Sequence, residues 1–303
     1  MYFDEELVVD VRLNTLNEFV DYFVIVESKF THKGDPRDLK FNHKKFEKFK
    51  DKIIYLVYNE EPEKIEKINR EDSEDEKSRK YILNAAYREN GQRNYIQEGL
   101  TNAEGDDFIL VSDVDEIPKL SELNFNKIKE KITLFKQDMF YYKFNLHLPN
   151  FIWAGTKGCK KKYLISPQWL RNIKAKKYSF FRIDTFFSDR KYRSINILNE
   201  GGWHFSNIKT AKEIEHKLRS YLHHREFDAN PLSIDEINNI IKNKQAIYDL
   251  KVDKTVNKIG NGSMLKKFEV EKLPDYIKVN QNDLKEWIDS VSYTHLRAHE
   301  TDS

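Results

Sequence analysis

Four consecutive apolar residues, Phe108-Ile-Leu-Val111, are preceded by Asp106-Asp107 and followed at once by Asp113, Asp115 and Glu116. The run is too short for an independent helix. Its β-branched and aromatic content predicts a strand buried on both faces of a parallel sheet, which commits the chain to an α/β fold. Side chains repeat every two residues along a strand, so in extended geometry Asp113 and Asp115 point to the same side, with Pro118 expected to stop further pairing. Two carboxylates then converge at a strand's carboxyl end. Open α/β sheets place ligands there, and paired hard oxygens suit Mg²⁺ or Mn²⁺ when ligand phosphates complete the shell. The same residues also suit an acidic turn that only ends a strand.

An apolar run ending in an acid recurs at Tyr22-Phe-Val-Ile-Val-Glu27, and Lys52–Tyr58 reads as a third buried strand. Leu7, Val8, Val11 and Leu16 predict a helix over roughly 5–17, and Phe41, Phe46 and Phe49 are spaced for one helical face. The charge-rich stretch Glu60–Lys80 reads as a surface loop, a lid or a solvated helix. A helix over 81–99 carries Arg88, Asn90, Gln92 and Arg93, which can meet phosphate or base edges or pair with Glu89 and Glu98. Beyond Pro118 the pattern predicts a polar helix over 121–132, an aromatic strand over 139–149, and a glycine-containing turn over 153–162 with Lys157, Lys160, Lys161 and Lys162. Tyr178–Asp189 is aromatic around Arg182 and Asp184. In Glu200-Gly-Gly-Trp-His-Phe-Ser206 two glycines permit a tight turn that aims one imidazole, His204, as a third metal ligand or as a hydrogen-bonded core histidine. From Lys209 onward polar helices follow, over 211–225, 233–250 and 281–291, with Leu218, Tyr221 and Leu222 on an amphipathic face.

The chain therefore reads as one α/β domain over 1–207 with a helical extension over 208–291, and a patternless segment at 292–303 that resembles sequencing-adapter readthrough. With 52 basic and 50 acidic side chains, no global field advertises a nucleic-acid partner. The single cysteine, Cys159, excludes an intrachain disulfide framework and a multi-cysteine zinc site, and fits a reducing, cytoplasmic compartment. No stretch approaches the ~20 apolar residues that a membrane span needs, which leaves peripheral attachment at a cytoplasmic membrane face as the expected form of any membrane contact. Met1-Tyr-Phe running into Asp4-Glu-Glu reads as the tail of a strand already under way, so the front strand is expected to be clipped.

Several ordered blocks resemble glycosyltransferase family 17. They are Phe23-Val-Ile-Val-Glu-Ser-Lys-Phe-Thr31 with Gly34, Pro36 and Leu39-Lys-Phe41; Asp113-Val-Asp-Glu-Ile-Pro118; Gly201-Gly-Trp-His-Phe-Ser206; and, more weakly, Leu273-Pro-Asp-Tyr-Ile277. The resemblance implies a GT-A fold, a Rossmann-like, mostly parallel sheet flanked by helices, and an inverting, metal-dependent transfer of N-acetylglucosamine from a UDP-sugar to a glycan acceptor. It also implies Asp115 as the main ligand to Mn²⁺ or Mg²⁺, with Asp113 a partner to metal or ribose and His204 a further ligand. Glu27, Arg88, Gln92 and Arg93 would approach the nucleotide. The general base is left to Glu116, Asp184 or Glu200. The lysine-rich composition and lack of an anchor in this chain look more like bacterial or viral members, for which the acceptor is expected in cell-surface polysaccharide or lipopolysaccharide. The residues also leave open a nucleotidyltransferase on the same fold, or a silent nucleotide-sugar or carbohydrate-binding protein.

Overall fold

The computed structural model describes residues 1–179, 181–221, 224–248, 259–260 and 262–289. The expected tail at 292–303, Leu222 and the ends of two predicted helices lie outside them. In chain order the elements are α1 (Glu6–Leu16), β1 (Phe23–Ser28), β2 (Ile53–Tyr58), α2 (Glu74–Asn94), β3 (Phe108–Val111), β4 (Glu116–Pro118), β5 (Ile132–Tyr141) and β6 (Leu146–Lys160). There follow α3 (Pro167–Asn172), β7 (Ile195–Leu198), β8 (Gly202–Ser206), α4 (Ala211–Ser220), α5 (His224–Ala229), α6 (Ile234–Lys242), β9 (Lys266–Lys267) and α7 (Asp275–Val279).

The architecture is α/β, but the sheet is mixed and not mostly parallel. Its order is β3-β6-β5-β8-β4, with β7 added parallel to β5 and β9 antiparallel to β6. The long β5–β6 hairpin causes this, because the short connection over 142–145 can join only antiparallel neighbours. β1 and β2 form a separate parallel pair. β3, expected inside a parallel sheet, pairs antiparallel with β6, and its burial alternates. Its other edge and that of β1 line a groove of about 810 Å³. Pro118 does not prevent pairing. It takes the last position of β4, opposite Gly202 of β8.

Several local expectations give way to tertiary packing. The predicted helix over 121–132 reduces to one 3₁₀ turn, Phe125–Lys127, because β5 has already begun at Ile132. Phe41, Phe46 and Phe49 are buried as foreseen, yet only Glu47–Phe49 is helical, again 3₁₀. The acidic segment ahead of α2 is not a free lid, since Asn84 takes the Glu66 N–H and donates to its carbonyl, both at 2.8 Å. α2 itself starts at a capping box in which Ser73 and Glu76 each bond the other's backbone N–H. Residues 153–160, expected as a lysine-rich turn, continue β6. Lys157 there is buried, its ammonium donating to the Arg171 and Ile173 carbonyls, and burial lowers its pKa to about 8.

One apolar cluster joins α1 to Ile117, Phe135, Phe140, Phe205 and Ile277, and so cements the sheet to α1 and α7. A second joins Met139, Tyr141, Leu146 and Leu148 of the hairpin to Ile214, Leu218, Phe227 and Ile237 of α4–α6. The C-terminal helices thus lie over the hairpin.

Candidate functional site

After Val111 the chain leaves β3 and turns. The Glu116 N–H donates to the Asp113 carbonyl at 3.1 Å, so Asp113-Val-Asp-Glu116 is a four-residue turn and not an extended strand. Arg12 of α1 clamps it, donating to the Glu116 carbonyl at 2.5 Å and to Ser112 Oγ at 2.6 Å. The turn sends its three acids to different surroundings.

Glu116 is fully buried. Its Oε1 accepts from Trp153 Nε1 at 2.6 Å and Arg171 at 2.9 Å, and its Oε2 accepts from Arg171 at 2.9 Å and the Asp113 N–H at 3.0 Å. Nothing is left over to take an acceptor proton. Asp113 reaches the cavity, but Arg93 holds its Oδ1 at 3.1 Å and Arg171 its Oδ2 at 2.9 Å. Burial opposes its ionisation, and the Arg171 and Arg93 guanidiniums outweigh that and hold the carboxyl far below the usual carboxylate range.

Asp115 is different. Among the described residues its close side-chain partner is His204, with Oδ2 and Nε2 3.4 Å apart. His204 lies on β8 opposite Glu116, packed against the Trp153 ring, and its Nδ1 has no hydrogen-bond partner. Burial opposes charge on both groups, but each stabilises the other, so the Asp115 pKa falls and that of His204 rises. The Gly201-Gly202 turn makes this possible. Gly202 has φ +126°, and a Cβ on it would meet the Ile117 carbonyl at 2.2 Å, so only glycine lets β8 lie this close to β4.

Both groups line a cavity of about 620 Å³ together with Asp113, Arg93, Gln92, Trp153 and Arg171. α4 contributes Lys217, whose Nζ lies 3.7 Å from Glu5 Oε1; burial opposes its charge, but Glu5 outweighs that and keeps it cationic. Guanidinium and ammonium groups thus ring an acidic and imidazole pair. Among the described residues no three His, Cys, Asp or Glu side chains gather as a metal cluster. What fits a cation is the Asp115–His204 pair, which needs ligand oxygens to complete a shell. Asp113, claimed by two guanidiniums, does not present a free oxygen.

The family 17 model matches residues 1–288 of this chain. The chain belongs to glycosyltransferase family 17. Curated relatives include the beta-1,4-mannosyl-glycoprotein 4-beta-N-acetylglucosaminyltransferases of Homo sapiens and Rattus norvegicus, each 28% identical over 233 residues, and that of Mus musculus, 27% identical over the same length. Each match covers 70% of this chain and 40% of the relative, so the chain spans well under half the length of the proteins it matches. No solved structure matches it.

In this family 17 chain the remaining residues singled out from the sequence divide sharply. Arg93 and Gln92 reach the cavity, Gln92 also donating to the Val26 carbonyl at 3.1 Å. Arg88 lies away from it, bonded to Glu61 and to the Lys33 carbonyl. Glu27 is sealed, accepting from Arg37 at 2.9 Å, the Lys40 and Phe41 N–H groups at 2.7 and 3.1 Å, and Tyr55 Oη at 2.8 Å. Asp184 pairs with Arg182 and Lys191 on an exposed turn, and Glu200 is exposed at φ +52°; neither lines the cavity. Residues not foreseen are Arg171, Trp153, Lys217 and Glu5. Arg171 follows a readable helix start, Ser166-Pro167, but its reach to Asp113 and Glu116 depends on how α3 docks on β6. Lys217 sits beside Leu218 on the amphipathic α4 and was legible only as a solvated flank.

Proposed function

We propose that the cavity binds a UDP-sugar and that the protein transfers its sugar, N-acetylglucosamine, to a hydroxyl of a glycan, with inversion and with help from a divalent cation, on a GT-A-type scaffold. The observation that carries this reading is the open Asp115–His204 pair on the wall of a cavity of about 620 Å³, a volume in the range of small-molecule sites. Family membership and the names of the relatives support the reaction class and the donor sugar.

In this scheme Asp115 and His204 would hold Mn²⁺ or Mg²⁺, with diphosphate oxygens and water completing the shell. A divalent cation bound there supplies positive charge to the departing diphosphate. Lys217 faces the same cavity as a second cation for phosphate oxygens. Arg93 and Arg171 fix Asp113 as an anion, and Arg171 also holds Glu116, which braces the turn beside the donor. The acceptor proton falls to Glu89, a carboxylate on the cavity wall outside the acidic turn.

The test is UDP release from UDP-N-acetylglucosamine across a panel of glycan acceptors, with Mn²⁺ and with chelator, and NMR of the new linkage. A β-linkage formed only with metal supports the proposal; release that is indifferent to chelator, or none with any acceptor, contradicts it. Loss of about 10²–10⁴-fold in turnover for Glu89→Gln, at unchanged donor affinity, would identify it as the base.

A further inference from the structure

The segment 174–193 stands apart from the rest of the molecule. It holds seven lysines and arginines against two aspartates, an excess of five positive charges in a chain whose whole net charge is +2. It also displays large apolar side chains. Phe181 is 89% exposed, Ile183 70%, Phe186 71% and Phe187 87%. Single exposed hydrophobics need no explanation, but four within seven positions, set among cations, do.

The segment is not a loose strand of chain. Its base is closed by the Lys174 N–H donating to the Arg190 carbonyl and is pinned to α3 by Trp169 Nε1 donating to the Asp189 carbonyl, both at 2.8 Å. Its tip is braced from within. Asp184 accepts from Arg182 and Lys191, and Arg193 donates to Thr185 Oγ1 at 2.8 Å while its guanidinium lies 3.8 Å from the centre of the Phe186 ring. One of the two aspartates is thereby neutralised, and the apolar side chains project from a shaped turn.

We propose that this segment docks the protein on an anionic lipid surface, with Ile183, Phe186 and Phe187 entering the headgroup–acyl boundary and the lysines and arginines meeting lipid phosphates. Apolar anchors ringed by cations are the combination that such a surface selects, since burial and charge attraction add there. A protein partner fits less well, because the cores of protein interfaces are depleted in lysine and this segment offers Lys174, Lys176 and Lys177. A nucleic acid would satisfy the cations but has no apolar phase to receive Ile183. No helix among the described residues is long and apolar enough to cross a membrane. α3 carries Arg171 of the cavity at one end of this segment, so docking would hold the site close to the lipid plane. The inference does not depend on the transferase reading.

The test is co-sedimentation of the full chain with vesicles of phosphatidylcholine alone and of phosphatidylcholine mixed with phosphatidylglycerol, at low and high salt. Vesicle affinity should rise at least about tenfold with the anionic lipid and fall back in high salt. Phe186→Ser with Phe187→Ser should lower it about tenfold, and Lys176→Glu with Lys177→Glu should remove most of the salt dependence, both at unchanged thermal unfolding and unchanged UDP binding. Equal affinity for neutral and anionic vesicles, or full affinity in the phenylalanine variant, overturns the proposal. So does single-stranded RNA that binds with the same salt dependence and displaces the vesicles, or a dimer in lipid-free solution that the phenylalanine variant abolishes.

Discussion

Glu27 and Asp115 occupy similar places in the sequence, each shortly after a short apolar run, yet they have opposite fates. Glu27 has no exposed surface, and four donors close both of its oxygens. Asp115 sits over a cavity with His204 as its close partner at 3.4 Å. A carboxylate at a strand end becomes a binding group only when the fold leaves it short of donors. Where the fold supplies them in full, the same residue ties a loop to the sheet. Glu116, next to Asp115 in the chain, follows the Glu27 pattern, which shows how finely one turn can separate the two roles.

The largest expected effect is on the closed side of this contrast. Glu27→Ala leaves the Arg37 guanidinium, two backbone N–H groups and the Tyr55 hydroxyl without their acceptor, and should cost about 3–5 kcal/mol of stability in urea unfolding. A variant that stays stable but loses donor binding would reverse the assignment. Asp115→Ala should do the converse. Mn²⁺-dependent donor affinity should fall about 10–100-fold, while stability drops by no more than about 2 kcal/mol, because His204 can shed its proton instead of remaining an unpaired charge.

The pH dependence sharpens the same contrast. In the metal-free protein the His204 pKa is raised and that of Asp115 lowered. The stability contributed by His204 is therefore fully present below its unfolded pKa and is lost as pH rises through its folded value. That from Asp115 is present above its own unfolded pKa and is lost as pH falls through its folded value. A cation must displace the proton from His204, so Mn²⁺ affinity should climb by up to about tenfold per pH unit until His204 is neutral, then level off. A flat profile in titrations from acid to neutral pH would remove His204 from the cation site. The smallest effect belongs to Asp184→Asn and Glu200→Gln, which should leave donor affinity unchanged because neither residue lines the cavity.

What the sequence disclosed was mostly local. The apolar runs at β1, β2 and β3 and the glycine pair before β8 are short-range signals, and they were legible with their boundaries nearly right. The ordered family blocks identified the family before any geometry was known. What escaped was set by pairing across the sheet. The long β5–β6 hairpin makes the sheet mixed, and it buries Lys157 in a stretch that reads as a solvated turn because its ammonium finds backbone carbonyls in α3 and just beyond it. The acids of the site could be listed but not sorted. Whether Asp113, Asp115 or Glu116 is open depends on Arg171, more than fifty residues away in sequence, and nothing near Arg171 announces that reach.

Whether Asp115 is the open carboxylate of the site is decided by isothermal titration with UDP-N-acetylglucosamine of the unchanged chain and of Asp115→Ala, each with Mn²⁺ and with chelator. Metal-dependent binding to the unchanged chain is expected, weakened about 10–100-fold in a variant that remains folded. Binding of equal strength in the variant, or equal strength with chelator, would contradict it.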